Sequence, residues 1–206
     1  MPETPRETTG TRDRIIEAAM YLFWEKGFAA TSLSDILERA HCRSGSFYHF
    51  FESKEALLHA VLELYATMFD VVIARPAFAA ADDPIERIFA ILAGYRERLL
   101  QTNCTYGCPI GRLALEVDPN NTTAFRWIST NFTAWRGAIE TCLAVAPLPP
   151  TTNLPDLASL VLTLMEGAVM QSRAFRSVEP FDAAVRQLRA YLGMLVGAGG
   201  ADAPKR

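Results

Sequence analysis

The sequence predicts an all-α protein of about nine helices, a small three-helix domain at the N-terminus with a larger helical domain behind it. Three observations carry this. Apolar residues recur at steps of three and four along nearly the whole chain, and no stretch alternates with the period of two that a strand needs. Prolines, glycines and small hydroxyl residues fall between those stripes, where helices start and stop. Half of the 206 residues are hydrophobic, so a core can form without disulfide or metal staples.

The first helix is predicted over 11–26, where Ile15, Ile16, Ala19, Leu22 and Phe23 form one apolar stripe. Gly27 suits the position just past a helix end, and Phe28 can pack back on the last turn. Ser32 with Asp35 three residues on resembles a capping box, with Asp replacing the usual Glu or Gln. Leu33, Ile36, Leu37 and Ala40 of the second helix then face inward. His41 and Cys42 make a turn. A third short helix follows over 44–50, with Phe47 and Phe50 as core anchors. Ser53 caps a fourth, from Lys54 to about Arg75, where Pro76 stops it. Asp83 and Pro84 open a fifth that reaches Gln101. A short helix follows Cys108 and Pro109, and another opens at Pro119 and runs to about Val145. A proline-rich loop then leads to the last two helices, 154–174 and 181–196.

Several classes are excluded. The N-terminus is polar and lacks the apolar core of a signal peptide. No apolar run reaches membrane-spanning length; the longest, 157–170, is broken by Ser159, Thr163 and Glu166. The expectation is a cytoplasmic protein with no membrane partner, whose four cysteines are thiols. No Cys-x-x-Cys pair suggests a metal site, and no cofactor motif is present. No nucleophile elbow, P-loop or His-Glu-x-x-His points to an enzyme, and His41, His49 and His59 all lie in the N-terminal part.

Residues 31–58 read TSLSDILERAHCRSGSFYHFFESKEALL. Two short amphipathic helices joined by a tight turn, then a third opening at a lysine, make a helix-turn-helix, the arrangement that lays one helix in the DNA major groove. Charge gives no support. The net charge is −3, and residues 1–60 hold seven Lys/Arg against nine Asp/Glu. Phosphate contacts must come from a few placed groups and from helix N-termini.

In this order, Gly27 with Phe28, Ser32, Ile36, Ala40, Gly45, Phe47, Tyr48, His49, Phe50 and Lys54 resemble the TetR family of transcriptional repressors, over about 11–64. The resemblance implies a three-helix DNA-binding domain, placed over 10–70 with its motif at about 33–52, and an all-helical regulatory and dimerisation domain, placed over 71–197; the polar 1–9 is expected to be flexible and the glycine-rich 198–206 disordered. Carried over by position, Ser32 and Ser34 face phosphate or base edges. Arg43, Ser44, Gly45 and Ser46 open the recognition helix, Tyr48 and His49 contact the backbone or a thymine methyl, and Lys54 clamps a phosphate. Two positions depart from the pattern. His41 replaces the glycine of the turn, and histidine tolerates a left-handed conformation better than most residues. Arg43 replaces a small hydroxyl cap and either reads a guanine or grips a phosphate.

Residues 103–118, NCTYGCPIGRLALEVD, resemble the Gly-Cys-Pro-Leu-Gly signature of one TetR branch, some of whose members respond to reactive electrophiles or small unsaturated acids. Arg112 stands where Asn is usual. Cys108 precedes Pro109 and so falls at a helix N-cap, where free amides favour a thiolate. Arg112 would add positive charge and Cys104 could resolve an oxidised Cys108. Read plainly, Cys108 is a small buried hydrophobe that caps a helix. Cys42 and Cys142 read as core. For a pocket, Tyr95, Tyr106, Phe125, Trp127, Phe132, Trp135, Met165 and Met170 offer apolar walls, and Glu116, Arg136, Glu166 and Gln171 offer polar groups.

The expected protein is a regulator that binds palindromic double-stranded operator DNA. It would be a homodimer through 154–174 and 180–196, released by a small-molecule effector of unknown identity. The competing reading is a helical interaction module that has lost DNA binding; an enzyme is the remaining class.

Overall fold

The structure, a computed structural model, describes residues 10–201. The expected flexible 1–9 and the end of the expected disordered tail, 202–206, lie outside the described residues. Every regular element among the described residues is helical, as the class predicts. These are α1 (Thr11–Glu25), α2 (Leu33–Arg39), α3 (Ser44–Phe50), α4 (Lys54–Phe69), α5 (Arg75–Ala80), α6 (Pro84–Gln101), α7 (Pro109–Glu116), α8 (Thr122–Leu143), α9 (Leu154–Phe175) and α10 (Glu179–Ala201). A π-helical segment, Asp70–Ala74, joins α4 to α5, so Lys54–Ala80 is one uninterrupted helix.

The chain divides into two compact units. One runs to Tyr65 and takes in Pro109–Ile128; the other comprises Ala66–Cys108 and the residues from Ser129 on. A single boundary near residue 70 would instead place α7 in the second unit. Arg112 and Glu116 of α7 hydrogen-bond the end of α1 within the first unit.

In the first unit, Ile15, Ala19 and Phe23 of α1 are buried, as are Ile36, Phe47, Leu57, Leu58, Val61, Leu62 and, from α7, Ile110 and Leu113. The core anchor at the end of α3 is Phe51, not Phe50. Residue 51 leaves the helix in an extended conformation, which turns its ring inward to 5.7 Å from that of Phe47. Phe50 keeps the helical phase and is exposed.

Pro76 does not stop its helix. The Arg75 N–H bonds to the Asp70 carbonyl five residues back, and the helix resumes with Pro76 in its first turn, where a missing N–H is tolerated. This helix, Lys54–Ala80, rather than 157–170, is long and apolar enough to cross a membrane by composition, with mean hydropathy 1.7. Its Leu57, Leu58, Val61, Leu62, Phe69 and Ile73 are nevertheless buried within the protein. Helix α8 starts after Asn121, whose Oδ1 accepts the Ala124 N–H at 3.0 Å, and Pro119 lies in the preceding turn.

In the second unit, α9 and α10 pack along Leu157, Val161, Met165, Phe181, Leu188 and Leu192, all buried. Ser172, fully buried, accepts the Phe181 N–H at 3.2 Å through its hydroxyl. Helix α6 is tied to α10 by a bidentate Arg96–Asp182 pair at 2.7 and 2.9 Å. Arg189 adds a pair with Glu86 and lies 3.7 Å over the Phe89 ring. Helix α10 continues past the expected end at Val196 to Ala201. Gly199 lies so close to the backbone of Pro147–Pro149 that a side chain there would collide with it. Gly199, within the expected tail, thus serves close packing.

Candidate nucleic-acid interface and regulatory site

The geometry of the helix-turn-helix begins at the end of α1. A helix leaves its last carbonyls without partners. Here Gly27, at φ 91°, turns the chain away. From α7, Arg112 Nη1 donates to the carbonyls of Trp24 and Glu25 at 3.2 Å each, and Nη2 donates to that of Lys26 at 2.6 Å. The same guanidinium bonds Glu116 Oε1 through Nε at 2.6 Å, and Glu116 Oε2 accepts the Phe28 N–H at 2.8 Å. A Cβ on Gly27 would collide with both side chains. Thr31, buried, donates its hydroxyl to the Gly27 carbonyl at 2.6 Å. Lys54 Nζ donates to the carbonyls of Phe28 and Thr31 at 2.8 and 2.9 Å and lies 4.4 Å from the Phe28 ring centre. Side chains thus satisfy the α1–α2 connection almost throughout.

Two residues have partners that the sequence did not suggest. Lys54 is half-buried and its ammonium holds this connection. Arg112 serves α1 rather than Cys108. Sequence reading missed Glu116 as its partner, although Arg and Glu four residues apart on a short helix signal an ion pair.

The capping box at Ser32 forms. Its hydroxyl accepts the Asp35 N–H at 3.1 Å, and the Asp35 carboxylate accepts the Ser32 N–H at 2.9 Å. The Ser32 backbone N–H, then its hydroxyl and Lys26, hold the Asp35 carboxyl down to about 2. The Ser34 hydroxyl lies 2.9 Å from that of Ser32, and both residues remain exposed. His41 occupies the turn at φ 51°. Its N–H bonds the Glu38 carbonyl and that of Cys42 bonds Leu37, the paired bonds that end a helix in a left-handed turn.

On α3 the expected contact residues separate by helical phase. Ser44, Gly45, Tyr48 and His49 are exposed, with Arg43 before them as an N-cap whose side chain makes no capping bond. Tyr48 is 61% exposed, so its ring stands outside the core. A Cβ on Gly45 would meet nothing within 4 Å, so the glycine leaves open space outside the protein. Ser46 is half-buried, one step off this face. The basic side chains nearby are engaged internally, Lys26 with Asp35 at 3.1 Å and Arg39 with Glu25 at 3.4 Å. Arg43 is therefore the cation best placed on the α3 face.

In the second unit, Trp135 is buried and packs on Phe69 (ring centres 5.3 Å) and Tyr95 (4.6 Å). Both Phe69 and Trp135 line a small apolar cavity of about 10 Å³, with Ile88, Ile91, Leu92, Ile139, Val161, Leu162 and Met165. Cys108 is buried at the end of the loop before α7, and its thiol hydrogen-bonds Glu166. Burial pushes the Glu166 carboxyl up, and the Cys108 bond opposes this. Burial, then Cys108 and Glu166, push the Tyr95 hydroxyl well up. Glu166 Oε1 is buried without a hydrogen-bond partner among the described residues. Of the four polar pocket candidates, Gln171 and Arg136 are exposed and Glu116 serves α1, which leaves Glu166. Trp127 belongs to the first unit and does not line the cavity; Tyr106 is half-buried, and Met170 is exposed. Cys104 is buried at φ 53°, and Cys42, Cys104, Cys108 and Cys142 are all free thiols. Cys142 is core as expected, whereas Cys42 is half-buried.

Comparison with known proteins agrees with both units. A family model for bacterial regulatory proteins of the tetR family matches residues 15–61. One for the C-terminal domain of LmrA/YxaF-like transcriptional regulators matches residues 84–187, half of the chain. An uncharacterised HTH-type transcriptional regulator of Mycobacterium tuberculosis, Rv0196, is 28% identical over 188 residues, covering 89% of this chain and 94% of that protein. The HTH-type transcriptional repressor DhaR of Mycobacterium sp. (strain GP1) is 26% identical over 178 residues, 84% of this chain and 88% of that protein. A cysteine variant of the TetR-family regulator CifR, solved with 26-bp double-strand operator DNA, has a TM-score of 0.75 at 23% identity, covering 91% of this chain and 99% of that one. Homologues and fold are those of regulators and not of enzymes: the chain belongs to the TetR family and is a DNA-binding transcriptional regulator.

Proposed function

We propose that this regulator is a cytoplasmic, homodimeric repressor that grips a palindromic operator through α3 and lets go when a small molecule occupies its second unit. The carrying observation is the α3 face, where Arg43, Ser44, Gly45, Tyr48 and His49 stand exposed on a connection that Arg112, Glu116 and Lys54 hold in place. Hydroxyls, a phenol and one arginine around a glycine suit close approach to a groove, phosphates first and base edges second. The repressor DhaR and the operator-bound CifR are similar proteins that support this reading. Dimerisation rests on α9 and α10, which leave Leu160, Met170, Phe175, Tyr191 and Met194 exposed after the core is filled. Two-fold pairing of such a surface would set two α3 helices about one turn of DNA apart. Helix α4 starts in one unit and ends in the other, so it would carry the effector's influence.

The electrophile-responsive reading of Cys108 needs that thiol to become accessible. Reactive thiols sit in electropositive, partly exposed surroundings, whereas Cys108 is buried against a carboxyl. This favours a non-covalent effector. Normal release by Cys108→Ser protein would sink the thiol sensor.

The test is titration of the DNA flanking the regulator's own gene, in a salt series, with sedimentation for the dimer. Specific binding with a log–log salt slope of several units is expected. No salt-dependent binding to any DNA would instead favour the interaction module.

A further inference from the structure

The two ends of α3 differ in bulk. Ser44, Gly45 and Ser46 form its first turn, whereas Tyr48, His49 and Phe50 stand exposed at its end. Neither packing nor backbone requires Gly45: a Cβ there would meet nothing within 4 Å, and its φ is not positive. A groove therefore admits the start of α3 more deeply than its end, where three rings hold it off. The N-terminal residues of a recognition helix are those that meet base edges.

Arg43 stands at that end, and stability does not account for it. An N-cap favours a side chain that accepts a hydrogen bond, and a guanidinium only donates. A cation at a helix N-terminus also opposes the dipole. No internal contact offsets this: among the described residues the exposed Arg43 side chain makes no hydrogen bond, ion pair or ring contact. Every other lysine and arginine described in the first unit is engaged. Besides Lys26, Arg39, Lys54 and Arg112, Arg12 pairs with Asp13 at 4.0 Å and lies 5.6 Å from the Phe51 ring centre, Arg14 donates to the Ala40 carbonyl at 3.3 Å, and Arg126 has a partner as well. A residue that breaks a local rule without an internal gain marks a functional position.

We propose that Arg43 reads a guanine in the major groove of the operator, donating to N7 and O6 together. The proposal rests on the reading that α3 enters that groove. Guanine alone among the bases turns a pair of acceptors to the major groove. Adenine places a donor beside its N7, thymine sets a methyl beside its single acceptor, and cytosine presents a donor. A guanidinium fork, all donors and no acceptor, makes both bonds only with guanine. A phosphate would accept the same fork, but phosphates line the rims of the groove, where the bulky end of α3 meets them, and Arg43 belongs to the end that seats deepest. With every other arginine of the first unit committed, guanidinium readout should be confined to one base pair for each α3.

The test is selection of bound duplexes from a randomised double-stranded pool by full-length wild-type and Arg43→Ser protein, then titration of the selected duplex in a salt series. Wild-type protein should select a fixed G·C pair that Arg43→Ser protein no longer demands, with the rest of the site kept. On the wild-type site the variant should bind about tenfold to a hundredfold more weakly, and on duplexes with that pair changed the two proteins should bind nearly alike. Replacing the selected guanine by 7-deazaguanine, which lacks the N7 acceptor, should weaken wild-type binding and leave the variant unaffected. Serine restores a capping hydroxyl, so urea denaturation should find the variant at least as stable as wild type. A phosphate contact gives another pattern, an equal loss on every duplex with a salt slope lower by about one unit. That pattern, a selected site with no fixed G·C pair, or equal sensitivity of both proteins to 7-deazaguanine would each overturn the proposal. Tyr48→Ala separates it from the reading beneath: weakened operator binding there, with Arg43→Ser unaltered, removes the Arg43 role and leaves α3 in the groove, whereas no loss in either variant removes α3 itself.

Discussion

Arg112→Ala tests the account of the α1–α2 connection most directly. The guanidinium makes three bonds to main-chain carbonyls, at 3.2, 3.2 and 2.6 Å, and one to Glu116 at 2.6 Å. A charged hydrogen bond contributes about 1.5–3 kcal/mol, but bonds from one group do not add, and water can reach carbonyls at a helix end. The arginine side chain is 22% exposed and that of Glu116 25%, so neither is a surface pair and neither is fully buried. Losing the set should therefore cost about 2–4 kcal/mol, part of it from the Glu116 charge left without its cation. A domain stable by about 5–15 kcal/mol survives that loss, so the variant stays measurable. Urea denaturation of both proteins gives the difference. A double-mutant cycle with Glu116→Gln should show a coupling of about 1 kcal/mol or more. Operator affinity should fall as well, because α2 and α3 follow this connection. A loss below about 0.5 kcal/mol with unchanged operator binding would refute the reasoning, since that is the range of an ordinary surface substitution.

Gly45→Ala should leave thermal stability unchanged or raised, by up to about 1 kcal/mol from helix propensity, while operator affinity drops; equal operator affinity would remove Gly45 from the interface. Lys54→Met should destabilise by about 1–3 kcal/mol and weaken operator binding with little change in the salt slope, whereas a slope lower by about one unit would restore a direct phosphate contact. The Glu166 carboxyl is held above its unfolded value of 4.5 mainly by burial, against the pull of the Cys108 thiol, with Tyr95 as the other acidic neighbour. Its contribution is full below that value and is lost as pH rises through the raised folded value, so Glu166→Gln protein should lose less stability than wild type over that rise, followed by thermal denaturation. The Asp35 carboxyl is lowered to about 2, so its contribution is present above 3.8 and lost as pH falls towards about 2; Asp35→Asn should flatten that acid limb.

The elements that were legible in the sequence are those whose signals are local. Ser32 with Asp35, Asp83 with Pro84, and the apolar stripe of α1 each act within one or two turns, and each element stands close to where its signal places it. His41 was legible for the same reason, since a left-handed turn asks only what its own backbone tolerates. What was not legible depends on partners distant in sequence. The internal bonds of Lys54 could not be read because nothing beside it in sequence accepts them; the carbonyls that do lie 26 and 23 residues away. Arg112 looked like a helper for Cys108, four residues back, because the open carbonyls of α1 are 86–88 residues away. Pro76 and Gly199 were read by residue type alone, and in both cases the neighbouring backbone, a widened turn or an approaching loop, decides.

The same contrast bears on where specificity resides. The exposed residues on α3 were legible because a position that faces outward owes nothing to the rest of the fold, so residue order suffices to nominate it. What holds those residues at a fixed angle is non-local, and it is built from charged side chains that a charge count scores as available to DNA. Lys26, Arg39, Lys54 and Arg112 are all engaged within the first unit. An acidic balance is therefore no obstacle to DNA binding here; it means that recognition has few cations to spare, with Arg43 the foremost on the α3 face. Affinity should then depend less on long-range attraction and more on the rigidity of the connection behind α3. On that argument, loosening Arg112 should damage operator binding more than removing an exposed surface charge such as Arg12 at the start of α1. The opposite order in a side-by-side titration of Arg112→Ala and Arg12→Ala would mean that bulk electrostatics governs after all.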